Sequence, residues 1–107
     1  MGKSKHQILY EMLKTMNIPV AYDHFDSNKA VKPPFIVYRE TDIDTFKADG
    51  LTYYRDYNFE IELITETKNP SLQDTLEKLL TDNFIPYDLR DEDYDNEEKI
   101  YHNIYDI

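Results

Sequence analysis

The sequence predicts an α+β fold: two helices packed on one face of a mainly antiparallel sheet, in the order α-β-β-β-α-β-β. Three observations carry this. Tyr57, Phe59, Ile61 and Leu63 alternate without a break against Asn58, Glu60 and Glu62. That period of two belongs to a strand with one apolar and one wet face, because successive side chains leave a strand on opposite sides. Two other stretches, Ile8, Leu9, Met12, Leu13, Met16 and Leu72, Leu76, Leu79, Leu80, repeat apolar residues at helical spacing, as amphipathic helices do. Asp49-Gly50 supplies a hairpin turn, since both residues tolerate the positive φ that tight turns need.

The elements follow in order. Ser4 with Gln7 forms an S-x-x-Q capping box, which starts a helix by satisfying its free N–H groups. Asn17 suits a left-handed helix end and Pro19 forbids continuation, so the first helix spans about 4–16. A short strand over 20–25 and a loop over 26–29 lead to Pro33-Pro34, which admits a strand only at its start or on an edge. Phe35-Ile36-Val37-Tyr38 is that strand. Residues 45–48 then fold back on 51–54, before the long alternating strand to about Ile64. Asn69 caps the second helix, with Pro70 in its first turn and Asn83 at its end, the positions these residues favour. A short strand at 87–89, an acidic loop over 91–98 and a last strand over 99–107 complete a single domain, 1–107.

Composition narrows the function classes. At 107 residues, 40% of them hydrophobic, the chain is long enough for one core, burying roughly two-thirds of its unfolded surface. No apolar run approaches the roughly 18 residues of a membrane span, and the segment 1–6 has no apolar stretch of the signal-peptide kind behind it. Zero cysteines exclude disulfides and thiolate chemistry. The formal charge is −10, from 22 acidic against 12 basic residues. Tight binding to a phosphate backbone needs clustered cations, so this balance instead suits a surface that DNA passes without sticking. Ten tyrosines fit protein–protein contact, where Tyr is enriched, as well as strands, which Tyr also favours.

No catalytic or metal-binding pattern emerges. Asp91-Glu92-Asp93-Tyr94-Asp95-Asn96 opens like a calcium loop, but Asn96 stands where Gly is required and His102 where a bidentate Glu belongs. His6, His24 and His102 form no H-x-x-H or H-E-x-x-H set; His24 and His102 are expected in strands. Ser4, Ser27 and Ser71 read as cap and turn residues, and two glycines cannot build a phosphate-cradling loop. Glu60 and Glu62 are expected on the wet face, where nothing raises a carboxyl toward general-acid use. Lys29 and Lys32 read as ordinary surface charge, or as partners for an acidic loop on a neighbouring copy. No cofactor, no metal and no enzyme are expected.

Two strands look apolar on both faces: Phe35 and Val37 oppose Ile36 and Tyr38, while Ile100 and Ile104 oppose Tyr101, Tyr105 and Ile107. Two helices cover one face only. The other set therefore calls for a neighbouring subunit, or for the 46–54 excursion folded over it.

Several segments in order resemble small virion proteins of long-tailed phages and prophages of Gram-positive bacteria: Ile8-Leu9-Tyr10, Ile18-Pro19-Val20-Ala21-Tyr22, Lys32-Pro33-Pro34-Phe35-Ile36-Val37-Tyr38, the strand over 57–65, and Glu98-Lys99-Ile100-Tyr101. The resemblance covers about 7–105 and is to the tail terminator, or tail-to-head joining, family; head-completion and minor tail proteins share the same small α+β organisation. It implies a non-enzymatic subunit that forms a hexameric ring on the tail tube, stops its growth and docks the filled head. The implied partners are copies of itself, the tail-tube protein and a head-completion or connector protein. DNA would pass through the ring without tight binding, and no membrane is involved. The implied location is the bacterial host cytoplasm during assembly, then the virion. The expected contact residues are Phe46, Tyr53 and Tyr54 in the hairpin, Asp91, Glu92, Asp93 and Asp95 in the acidic loop, and Tyr101 and Tyr105 on the last strand. A small acidic DNA mimic or protein inhibitor of phage origin is the alternative from another class.

Overall fold

The computed structural model describes residues 4–26, 31–48 and 51–107, without the side chains of 42–48 and 51–57. The elements are α1 (Lys5–Lys14), β1 (Val20–Tyr22), β2 (Phe35–Ala48), β3 (Leu51–Thr65), α2 (Pro70–Asp82), β4 (Asp88–Asp95) and β5 (Ile100–Asp106). The five strands lie in the order β1-β2-β3-β5-β4. Only β1 and β2 run parallel; the other pairs are antiparallel. The fold is α+β, with two helices and a mostly antiparallel sheet. Among the described residues, no helix is long and apolar enough to cross a membrane.

Local chemistry sets the helix ends. Ser4 Oγ accepts from the Gln7 N–H at 3.2 Å while Gln7 Oε1 accepts from the Ser4 N–H at 3.2 Å, so both halves of the capping box are made. Asn17 takes φ 59° beyond α1. At α2 the Asn69 side chain accepts from the Leu72 N–H at 3.1 Å, one turn in.

One hydrophobic cluster joins Leu9, Met12 and Leu13 of α1, Leu76 and Leu80 of α2, and Ile36, Tyr38, Phe59, Ile61, Leu63 and Tyr105 of the sheet. Both helices therefore pack on the same sheet face. Ile8, expected in the α1 stripe, is exposed, whereas Gln73 is buried in α2. The Glu77 carboxylate accepts from Tyr105 Oη at 2.7 Å and from Tyr87 Oη at 3.1 Å, tying α2 to β5 and to the turn before β4.

Three expectations need correction. The 35–38 strand and the 45–48 segment are one strand of 14 residues, paired with a 15-residue β3 as far as Ala48 opposite Leu51. The turn at Asp49-Gly50 lies outside the described residues. The acidic loop is strand β4: pairing with β5 runs from Asp88 opposite Asp106 to Asp95 opposite Ile100. Intrinsic strand preference disfavours Asp, but one side of β4 is a sheet edge, where charges are welcome because they discourage edge-to-edge pairing. The first strand stops at Tyr22, so His24 lies past its end, exposed beside Asp23.

Leu63 is fully buried in the central strand, within the cluster that holds both helices. Leu63→Ala is expected to destabilise the protein by about 2–5 kcal/mol, read as a lower urea midpoint at unchanged slope.

Candidate interaction surfaces

The second sheet face differs from the bare apolar patch the sequence suggests. Alternation places Phe35, Val37 and Arg39 of β2, Glu60, Glu62 and Ile64 of β3, and His102, Ile104 and Asp106 of β5 on it. Val37 and Ile64 are buried within the chain, each flanked on that face by its cross-strand neighbours. The rest of the face is largely ionic. Arg39 Nη1 and Arg90 Nη2 each hydrogen-bond the Glu60 carboxylate, and Arg90 Nη1 reaches Asp106 Oδ1 at 3.0 Å. His102 Nδ1 contacts Glu62 Oε2. The case for a partner covering this face on apolar grounds is therefore overturned.

Glu60 is also less wet than expected, being only 8% exposed. Burial pushes its carboxyl upward, but hydrogen bonds from Arg90 and Arg39, with their charges, outweigh that and hold it below the ordinary value. Arg90 reaches it because β4 shifts register between Leu89 and Asp91. Sequence reasoning missed both arginines.

The nominated contact residues separate into distinct groups. Tyr105 is corrected: it is fully buried, bonded to Glu77, and cannot serve as a surface contact. Burial, then the Glu77 hydrogen bond, pushes its phenol upward. Tyr101 is half-buried, beneath Lys68 Nζ at 5.5 Å from its ring. Glu92 accepts from Lys68 Nζ and Gln73 Nε2 at 2.8 Å each; these bonds hold its carboxyl below the usual range. Asp95 Oδ1 accepts from the Glu97 and Glu98 N–H groups at 2.9 and 3.0 Å, so it shapes the β4–β5 turn. Asp91 and Asp93 are exposed on the edge strand. The side chains of Phe46, Tyr53 and Tyr54 lie outside the description; their backbone belongs to β2 and β3, with Phe46 opposite Tyr54. Lys29 also lies outside the described residues, and Lys32 is exposed.

That β2–β3 pairing outruns the sheet. β1 meets β2 only at residues 36–38, and β5 meets β3 only at residues 60–65. Asp42 to Ala48, paired back to Asn58, therefore forms a two-stranded ribbon with no third strand among the described residues. At the usual strand rise this ribbon is about 24 Å long. The radius of gyration, 15.4 Å, exceeds the roughly 13 Å of a compact chain this size.

A second feature went unpredicted. Phe84 is 92% exposed and takes φ 58°. It stands where a helix exit normally carries glycine: the Phe84 N–H bonds Thr81 O at 3.0 Å and the Ile85 N–H bonds Leu80 O at 2.9 Å, the paired bonds of a Schellman end. A phenyl ring in this position bears both backbone strain and exposed apolar surface. Phe directly after the helix-ending Asn83 was the sequence signal.

Among the described residues, no group of three or more His, Cys, Asp or Glu is placed to hold a metal ion. No family model matches the chain, and no curated protein matches it.

Two outcomes are expected. The folded Glu60 pKa lies below its ordinary 4.5, so the clamp's contribution is complete above that value and lost as pH falls through the lowered one. Glu60→Gln should flatten this acid limb of the stability-versus-pH curve, measured by urea unfolding below pH 5. Phe84→Gly should raise stability by up to about 1 kcal/mol by relieving the left-handed strain, measured in the same way.

Proposed function

We propose that this chain is a non-enzymatic virion assembly subunit of a phage or prophage, a tail terminator or head–tail joining protein that works as a ring of identical copies. The observation that carries the reading is the β2–β3 ribbon. A two-stranded ribbon is marginal in water without a third strand or a covering layer, so its natural complement is another subunit. The resemblance of the P-P-F-I-V-Y and N-F-E-I-E-L-I-T segments to that family supports the same reading. So does the charge of −10, which keeps DNA from adhering to a surface it slides past.

The mechanism is templated assembly. The last ring of tail-tube protein recruits the copies, each engaging the next through its ribbon and exposed aromatics. The completed ring ends tube growth and presents a docking surface to a connector on the head. A contact of standard size buries on the order of 1,600 Å², with a few aromatic anchors supplying most of the affinity.

A second reading draws on β4. Asp91 and Asp93 stand on one exposed edge strand, about 7 Å apart at strand spacing, an ordered start to the carboxylate row that a DNA mimic needs. Arg90 and Lys68 neutralise part of that edge, which favours assembly. Capture of a nuclease or polymerase at low salt, lost at high salt, would support the mimic.

Deleting the gene from the phage that carries it should yield tails of abnormal length or tails without heads in electron micrographs. Replacing residues 44–55 with a two-residue turn should give the same particles while the purified variant keeps its cooperative unfolding. Normal virions from either strain would remove the assembly reading.

A further inference from the structure

Both edges of the β2–β3 ribbon become bare at the same rung. On the β3 side, Phe59 and Ile107 exchange both backbone bonds, at 3.3 and 3.0 Å, which ends the pairing with β5. On the β2 side, the hydroxyl of Tyr22, the last residue of β1, accepts from the Glu40 N–H at 3.3 Å. Glu40 and Phe59 stand opposite each other. Beyond that rung, no third strand lies against either side among the described residues. Antiparallel alternation then says which backbone groups face outward. Successive residues turn their N–H and C=O to opposite sides, and directly opposed residues exchange both bonds or none. Phe59 turns both groups to Ile107, so Tyr57 and Arg55 also turn away from β2. Their partners Ile43 and Thr45 likewise turn away from β3.

Charge sets this ribbon apart from β4, the edge strand at the far side of the sheet. Over Asp88–Asp95, β4 carries five acidic residues against Arg90; 42–48 carry two against Lys47, and 51–57 one against Arg55. Charges on β4 oppose an added strand. The ribbon instead contains Ile43, Thr45, Phe46, Tyr53, Tyr54 and Tyr57, types that favour strands. A second copy offers the complement of both bare edges. Pairing β2 with β2 of that copy about a two-fold axis would leave both β3 edges bare. Pairing β3 of one copy with β2 of the next engages both edges of every copy, with the strands antiparallel as in the ribbon itself.

We infer that the ribbons of successive copies join edge to edge, through the backbone of Arg55 and Tyr57 in one copy and of Ile43 and Thr45 in the next. This rests on the assembly reading and specifies its interface. Each junction gives the ribbon the further strands that an isolated pair needs for stability. A closed series of copies makes an up-and-down antiparallel barrel with two strands from each copy, in which no ribbon edge stays open.

The test uses proline, which removes an N–H and is tolerated in a strand where that N–H faces outward. Thr45→Pro and Arg55→Pro each remove one outward donor; Thr45→Ala and Arg55→Ala keep the backbone intact. In the gene-deletion strain supplied with each variant, the alanine forms should restore virions. Each proline form should lower the virion titre on the order of tenfold or more, because one lost backbone bond weakens a junction roughly two- to tenfold and the loss recurs around the ring. Cooperative urea unfolding of the purified proline variants separates a lost contact from a lost fold. Independently, the chain has no cysteine, so copies with Ile43→Cys or Thr45→Cys can be co-expressed in that strain with copies carrying Arg55→Cys or Tyr57→Cys. Mild oxidation of the particles should give disulfides between unlike copies. Folded proline variants that yield normal virions, disulfides only between copies bearing the same substitution, or virions without disulfides in every mixture would overturn this pairing and leave the assembly reading standing. Normal virions from the deletion strain itself would overturn both.

Discussion

The Glu60 carboxylate, held between two guanidinium groups, is the constraint on which the sheet's organisation turns. Glu60 lies on central β3, opposite Arg39 of β2 and Asp106 of β5. Arg90 adds β4 to the same cluster, reaching past β5 by way of the register shift. One carboxylate thus links β3 to both its neighbour on one side and the edge strand on the other. A buried charge of this kind is costly alone and tolerable only when paired and hydrogen-bonded. Removing one partner therefore does more harm than the pair's net contribution suggests, because the remaining charge stays buried.

The position of that clamp matters as much as its strength. Beyond residue 60, moving toward the hairpin, β5 gives out, and β2 and β3 continue as a pair. The clamp therefore stands at the root of the ribbon. Phe59 beside it, and Ile61 and Leu63 below it, belong to the cluster that both helices pack on; beyond Phe59, the described backbone of β2 and β3 pairs without a third strand. The division gives a rigid body with a protruding arm, in which the rigid part fixes the arm's direction and the arm supplies reach. The acidic edge at β4 complements this arrangement. Its exposed Asp91 and Asp93 discourage indiscriminate strand addition.

Much of the fold was legible because its signals are local. The Ser4–Gln7 capping box, the Asn69 cap and the 57–63 alternation each lie within a few residues, and each is found in the structure. What was illegible depends on distant pairing. Glu60 is 21 residues from Arg39 and 30 from Arg90, and no spacing rule connects them. β4 reads as a loop because Asp-rich segments have poor strand preference, and its partner β5 overrides that preference by hydrogen bonding. Tyr105 shows a subtler limit. Alternation correctly separates Tyr101 and Tyr105 from Ile100 and Ile104, but periodicity cannot say which of the two faces lies under the helices. Among the nominated contacts, Glu92 bonds Lys68 and Gln73, 24 and 19 residues away, which no local pattern signals, whereas Asp95 makes a local turn with the Glu97 and Glu98 N–H groups.

The two features that do point outward share a physical character. The ribbon and Phe84 are each less stable in the isolated chain than a simple alternative at the same place would be. A shorter hairpin would leave no unsupported pair of strands, and glycine would relieve the turn after α2. Both features instead retain a local cost: marginal pairing in one case, a left-handed φ and an exposed ring in the other. On the assembly reading proposed above, contacts with other copies would offset these costs. That argument does not depend on the apolar second face, which the ion pairs of Arg39, Glu60 and Arg90 largely fill. On the proposed assembly reading, the contact between copies falls on the sheet's edges and its arm rather than on its broad face.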